Sequence, residues 1–385
     1  MDVARGVALL GMMAAHVFDA FDRDGTPTVA TAVAGGRSAT TFVLVAGISL
    51  AFLSGGRRVV EGRARTAAAA GIAVRALLIG AIGLWLGYTA PQAVILPAYA
   101  LLFLLAIPML GLRPRTLICI AAAASAVGPL LVLASFGADL PSFAGDNPTF
   151  ETLLDPSGLL AGLLVTGYYP VVAYLAYLCA GLAIGRLDLS SPRLAAWLLG
   201  CGLGLALSAR IVSTVLLFPL GGLRQLVGEN LSGPDLVRAR EVMLWDPDAT
   251  PSWWYLALPA PHSTTPVDLV HTLGSAMAVL GTALLLTRVP AVARLLRPLA
   301  AAGAMTLTLY SGHLLVLATG VLSDEPAAMY VLLVVGAFAF GLSWQRWMGQ
   351  GPLERLVAAA AGRARRAVAR TDETTAADGH RRSRL

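Results

Sequence analysis

The chain has no lysine, three cysteines and few charges of either sign: 13% of its 385 residues are charged, against about 25% in ordinary soluble domains. With 57% hydrophobic residues and a mean hydropathy of +0.73, this scarcity excludes an ordinary soluble enzyme, a disordered protein and a nucleic-acid-binding domain. No Gly-x-Gly-x-x-Gly or Walker-type cradle is present, so phosphate binding by those loops is excluded. Cys119, Cys179 and Cys201 each sit in an apolar run without metal-ligand spacing and read as free thiols. No cleavable leader is expected, because Asp2, Arg5 and His16 interrupt the first apolar segment and no small-residue cleavage site follows.

What remains is long apolar segments. A bilayer core takes about 20 apolar residues as a helix. Ten stretches meet that length: roughly 3–21, 39–54, 68–87, 92–111, 116–136, 160–184, 194–218, 267–287, 297–321 and 327–347. The expected fold is all-α, a polytopic membrane bundle of about ten helices. Within 160–184, the run Thr166-Gly167-Tyr168-Tyr169-Pro170 is a candidate helix break. All 28 basic residues are arginine, and they are unevenly placed. With the N-terminus inside, nineteen fall in inner loops and the tail, against five (Arg23, Arg37, Arg224, Arg238 and Arg240) in outer loops. This positive-inside bias predicts both termini in the cytoplasm and a multi-pass protein of the cell membrane. It also accounts for the basic pI without nucleic acid. Residues 1–350 read as one transmembrane domain with a long outer loop at 219–266. Residues 351–385 read as a basic cytoplasmic tail, disordered from about Thr371.

Charges within a span are functional candidates. Arg5 and His16 are eleven residues apart, which puts them within about 20° of one helix face and about 16 Å apart along the axis. An arginine at the cytoplasmic rim suits the phosphates of an extended thioester donor. A histidine that far inward suits a general base on an acceptor hydroxyl. Asp19, three residues on, would orient the imidazole. The competing reading is a rim ion pair of Asp2 with Arg5 and a packing histidine.

Other polar residues extend the candidate site. His313 and Tyr310 share a face of the ninth segment, lining an acceptor path or bonding to a neighbouring helix. His262, Ser263, Asp268 and His271 cluster before the eighth, as acceptor contacts or loop structure. They carry neither a nucleophile-elbow signature nor zinc spacing, and no metal site is expected. Arg75 lies within the third segment and suits donor phosphates or an acid such as Asp2. Arg57 and Arg58 lie in an inner loop, either capturing nucleotide or setting topology.

Several motifs carry a resemblance. Asp2-Val-Ala-Arg5-Gly6-Val-Ala-Leu-Leu-Gly-Met12 followed by His16 resembles the opening helix of the transmembrane acyltransferase superfamily. The whole chain is similar to its YeiB-like branch, related to heparan-α-glucosaminide N-acetyltransferase. The supporting stretches are Phe42-Val-Leu-Val-Ala-Gly47, Leu96-Pro-Ala-Tyr99, Gly167-Tyr-Tyr-Pro170, Gly185-Arg-Leu-Asp188, Pro261-His262-Ser263, Leu307-Thr-Leu-Tyr310-Ser-Gly-His313 and Gly351-Pro-Leu-Glu-Arg355. The resemblance implies transfer of an acyl group, acetyl above all, from cytoplasmic acyl-CoA to an outer-face glycan or glycolipid. The Arg5-to-His16 spacing is also similar to that of type-three acyltransferases, whose histidine there is held to be catalytic. In the heparan enzyme an asparagine takes the place of His16, and the catalytic histidine lies in the following loop. Here that loop, 22–38, has no histidine. Membrane lipids and the acceptor are the expected partners, with a homo-oligomer left open. A transporter or flippase of envelope precursors is the alternative, although no inverted repeat is evident.

Overall fold

The computed structural model describes residues 1–141, 147–228 and 235–370, and at 233–234 and 371–382 gives the helical backbone alone. Among the described residues the chain is helical throughout, with one isolated bridge between Phe21 and Pro27. The helices are α1 (Asp2–Val17), α2 (Val29–Ala34), α3 (Arg37–Leu53), α4 (Gly62–Leu86), α5 (Leu96–Ala106) and α6 (Pro114–Ser135). Next come α7 (Pro156–Ala161), continued by a π turn to Thr166, then α8 (Val171–Gly185), α9 (Pro192–Leu217), α10 (Gly222–Val227) and α11 (Gly233–Trp245). The last six are α12 (Pro266–Leu286), α13 (Pro290–Leu295), α14 (Arg297–Gly303), α15 (Thr306–Ala318), α16 (Pro326–Met348) and α17 (Pro352–Arg382).

Six helices among the described residues are long and apolar enough to cross a bilayer, and eight spans result if each of two bent pairs counts once. The bent pairs are α7 with α8, at 61°, and α14 with α15, at 84°. The first break falls on the Thr166–Pro170 run, where Pro170 lacks the N–H a continuous helix needs. Two of the ten expected spans are short. α1 ends at Val17, and Leu96–Gly111 changes from α to 3-10 geometry at Ile107-Pro108.

Small residues let the helices touch. A Cβ on Gly47 of α3 would run into the Leu178 carbonyl of α8, and one on Gly181 into the Leu44 carbonyl. Van der Waals contact of this closeness replaces the hydrophobic drive that lipid cannot supply. Around it lie Val43, Leu44, Ile48 and Tyr177, all buried. Arg186, beyond the end of α8, is buried and donates to the carbonyls of Ala51, Ser54, Gly56 and Leu110. It ties the exposed chain ends of α3 and the 3-10 turn together, and burial lowers its pKa.

The start of the tail is docked. Val357 and Ala361 are buried, and a Cβ on Gly71 of α4 would sit 3.2 Å from the Ala361 carbonyl. Arg63 donates to the Val368 carbonyl at 2.9 Å. The expected disorder from Thr371 lies outside the described residues.

Candidate functional site

α1 is fixed against α14 by backbone contact. A Cβ on Gly6 would strike the Leu299 carbonyl, and one on Gly303 the Asp2 carbonyl. Just past Gly303 the chain turns sharply into α15, which carries Tyr310 and His313 back to α1. Both residues are buried.

There His16 Nδ1 lies 2.9 Å from His313 Nε2, and the rings are 14° from coplanar. Tyr310 stands edge-on to both imidazoles. The protons follow from the partners. His313 Nδ1 is 3.3 Å from the Leu309 carbonyl, which only accepts, so Nδ1 carries the hydrogen. His313 Nε2 of the neutral ring is then a lone pair, and His16 Nδ1–H donates to it. His16 Nε2 is left with its lone pair, the form a general base needs.

A cavity of about 970 Å³, its open mouth included, lies on the Arg5 side. Arg5, Ser49, Arg75, Tyr99, Tyr310 and Glu354 are on its wall. Arg5 is held by Asp2 Oδ1 at 2.8 Å and Ser49 Oγ at 2.7 Å. Arg75 is different: no hydrogen bond or ion pair engages it among the described residues, and its Nε is buried. The Tyr99 hydroxyl is likewise buried without a partner. Such orphans each cost about 1–3 kcal/mol, which a ligand would offset. Glu354 spans the wall by capping α15. Its Oε1 accepts from the Leu307 and Thr308 N–H groups at 2.7 and 3.1 Å, and its Oε2 from the Thr308 hydroxyl at 2.6 Å.

His16 itself lines a second chamber, of about 600 Å³, with Gln92, Tyr168, Tyr169 and His262. Met12, one turn before His16, faces both cavities. The Gln92 amide donates to the His16 carbonyl at 3.0 Å, while its buried Oε1 has no partner among the described residues. His262 touches Tyr168, Tyr169 and the Tyr174 hydroxyl, and burial lowers its pKa to about 4. Its imidazole is therefore neutral at ordinary pH.

Of the residues expected from sequence, Arg5, Arg75 and Tyr310 line the first cavity, His16 and His262 line the second, and His313 stands behind His16 without lining either. The others line neither. Asp19 is exposed beyond the end of α1, because Phe18 turns to extended backbone and Thr28 Oγ1 fastens the Asp19 carbonyl into a loop. The ring nitrogen of His16 meets His313 and not Asp19. Arg57 and Arg58 are exposed and line neither cavity; Arg57 pairs with Asp188 at 3.4 Å. Ser263 donates to the Ala260 carbonyl. Asp268 accepts from the Thr264 N–H, and its Oδ1 has no partner among the described residues. His271 is saturated, donating Nδ1–H to the Ala206 carbonyl and accepting from Arg37, so no Ser-His-Asp relay forms. Gln92, Tyr99 and Glu354 were not singled out by sequence, because only orphaned or long-range bonds mark them. Among the described residues no group of three or more His, Cys, Asp or Glu side chains is placed to hold a metal.

No curated protein and no solved structure matches this chain. One family does, that described as heparan-alpha-glucosaminide N-acetyltransferase, catalytic, over residues 1–214. The match includes Arg5, His16, Arg75, Gln92 and Tyr99; His313 and Glu354 lie beyond it. With more than half its length matched and an all-helical, membrane-length architecture around the His16 pair, the chain belongs to the catalytic family of heparan-alpha-glucosaminide N-acetyltransferase.

Proposed function

We propose that this protein is a multi-pass cell-membrane acyltransferase that moves an acetyl group from cytoplasmic acetyl-CoA to an outer-face glycan or glycolipid. One observation carries the reading. His16, bonded to His313, lines a chamber with no arginine among its described lining residues, and that chamber shares Met12 with an arginine-lined cavity. The arginine-lined cavity suits the donor: Arg75 is free to meet a phosphate, and Arg5 needs only to exchange Ser49. The pantetheine arm would then run past Met12 and Tyr310 to His16.

In this reading the acceptor enters the His16 chamber. His16 Nε2 takes the proton of its hydroxyl or amine as that oxygen or nitrogen attacks the thioester carbonyl. The tetrahedral intermediate collapses with cleavage of the C–S bond. The thiolate takes the proton back from the imidazolium, releasing acylated acceptor and free coenzyme A. His313 holds the His16 tautomer and spreads the transient charge.

The test is thiol release from acetyl-CoA by the purified protein supplied with a glucosamine-terminated disaccharide as acceptor. Wild type should release thiol. His16→Ala should lower the rate by about 10²–10⁴-fold, the usual worth of a general base, with the thermal unfolding midpoint retained. A His16→Ala protein working above about a tenth of the normal rate removes His16 from the mechanism.

A further inference from the structure

A third cavity, about 970 Å³ with its open mouth, adjoins the His16 chamber and shares Tyr168 and His262 with it. Its wall is formed by the α7–α8 break, the segment after α11 and the loop before α12. Gly167 N–H donates to the Gly162 carbonyl at 2.7 Å, closing the π turn that sets Tyr168 at the rim. Tyr168 is 54% exposed. Asp246 is also on the wall, exposed, and nothing among the described residues bonds or pairs with its carboxylate. Ser135, Thr166, Ser263 and Thr264 add hydroxyl residues to the wall. Among the described residues no arginine lines the cavity. His262 brings no charge, since burial keeps it neutral.

A half-exposed tyrosine ring backed by His262 and Tyr169, a free carboxylate and hydroxyls, with no cation among the described lining residues, is a surface suited to carbohydrate of one charge type. Sugar C–H groups pack on an aromatic ring, and a carboxylate accepts from sugar hydroxyls more strongly than a neutral oxygen does. An anionic sugar placed there would lose water without gaining a counter-charge, next to a like charge. Building on the acyl-transfer reading, we propose that this cavity is the acceptor vestibule and selects by charge: a neutral or cationic sugar rests on Tyr168 with its hydroxyls held by Asp246, and anionic sugars are refused. The sugar bound here passes its reactive end through the shared Tyr168–His262 wall to His16.

Calorimetric titration of the full-length protein in detergent tests this with three disaccharides: cellobiose, a glucosamine dimer and one ending in glucuronic acid. Cellobiose and the glucosamine dimer should bind, and the glucuronate should bind at least about tenfold more weakly. Asp246→Asn should erase that discrimination and Asp246→Arg should reverse it. Tyr168→Phe should bind like wild type and Tyr168→Ala should lose all three sugars. Thermal unfolding profiles confirm that each variant is folded, and Asp246→Asn decides if the arginine variant is not. Equal binding of the glucuronate by wild type, or discrimination unchanged in Asp246→Asn, overturns the proposal. Thiol release separates the two readings. Charge-selective sugar binding without release removes acyl transfer and leaves the vestibule, while release with charge-blind acceptors does the reverse.

Discussion

At the residue scale, His313 works through its hydrogen bonds. It touches no cavity wall named above; in the proposed mechanism it accepts from His16 Nδ1–H and so keeps the lone pair on Nε2. His313→Gln retains a carbonyl oxygen that can accept that bond, whereas His313→Leu retains none. The expected outcome is a loss of about 10²-fold in thiol release for leucine and a markedly smaller loss for glutamine. The leucine variant should also shift the pH profile of the rate, because the imidazolium formed at His16 loses its acceptor. A glutamine variant as inactive as leucine would mean that His313 itself moves protons. The pairing shows what sequence can disclose at this scale. The Arg5–His16 face was legible, because helical spacing is local. Asp19 misled because the turn signal Asp22-Arg-Asp-Gly25-Thr26 ends α1 two residues before it: Asp22 accepts from the Asp24 and Thr26 N–H groups and the Thr26 hydroxyl. His313 was legible as a candidate, but its partner, 297 residues away, was not.

At the element scale, Glu354 links the docked tail to α15, the helix that carries Tyr310 and His313. It belongs to the first turn of α17 and satisfies the first free N–H groups of α15, one turn before Tyr310 and two before His313. The carboxylate also complements the positive end of that helix. Glu354→Gln keeps the shape and loses the charge. It should lower the thermal midpoint slightly, by the equivalent of about 1 kcal/mol, with α15 still in place. Glu354→Ala opens the cap and should slow thiol release as well, because the His16–His313 distance is set by α15. Normal release from a folded alanine variant would show that α15 holds its position by packing alone. The motif Gly351-Pro-Leu-Glu354 was visible in the sequence, yet its use was not. A cap between segments 46 and 47 residues apart leaves no periodic trace. The same holds for the two bent pairs. Only the α7–α8 break announces itself, through Pro170; the α14–α15 break has no proline, and Gly303 stands there for contact with Asp2.

At the scale of the whole molecule, the number of crossings rests on two short elements. Between Arg58 and Trp245 lie α4, α6, the α7–α8 pair and α9, four apolar crossings, plus the shorter Leu96–Gly111. Four crossings leave both residues on one side; five put them on opposite sides. Likewise α1 decides the side of the N-terminus. Each is 16 residues long, about 24 Å of helix against a hydrocarbon core of about 30 Å. The shortfall is tolerable where the element's end faces a polar cavity rather than lipid. Leu96 and Tyr99 line the Arg5 cavity, as do Arg5 and Met12 of α1. We therefore expect both short elements to count as crossings, giving the ten-span arrangement with both ends inside that the arginine distribution favours. Single cysteines at Arg58, Trp245 and Arg370, in a chain lacking Cys119, Cys179 and Cys201, read this directly. A membrane-impermeant thiol reagent on intact cells should label position 245, and positions 58 and 370 only after permeabilisation. Labelling of 58 and 245 from the same side would mean that Leu96–Gly111 does not cross. The proposed transfer from a cytoplasmic donor to an outer-face acceptor would then lose the support of the ten-span arrangement.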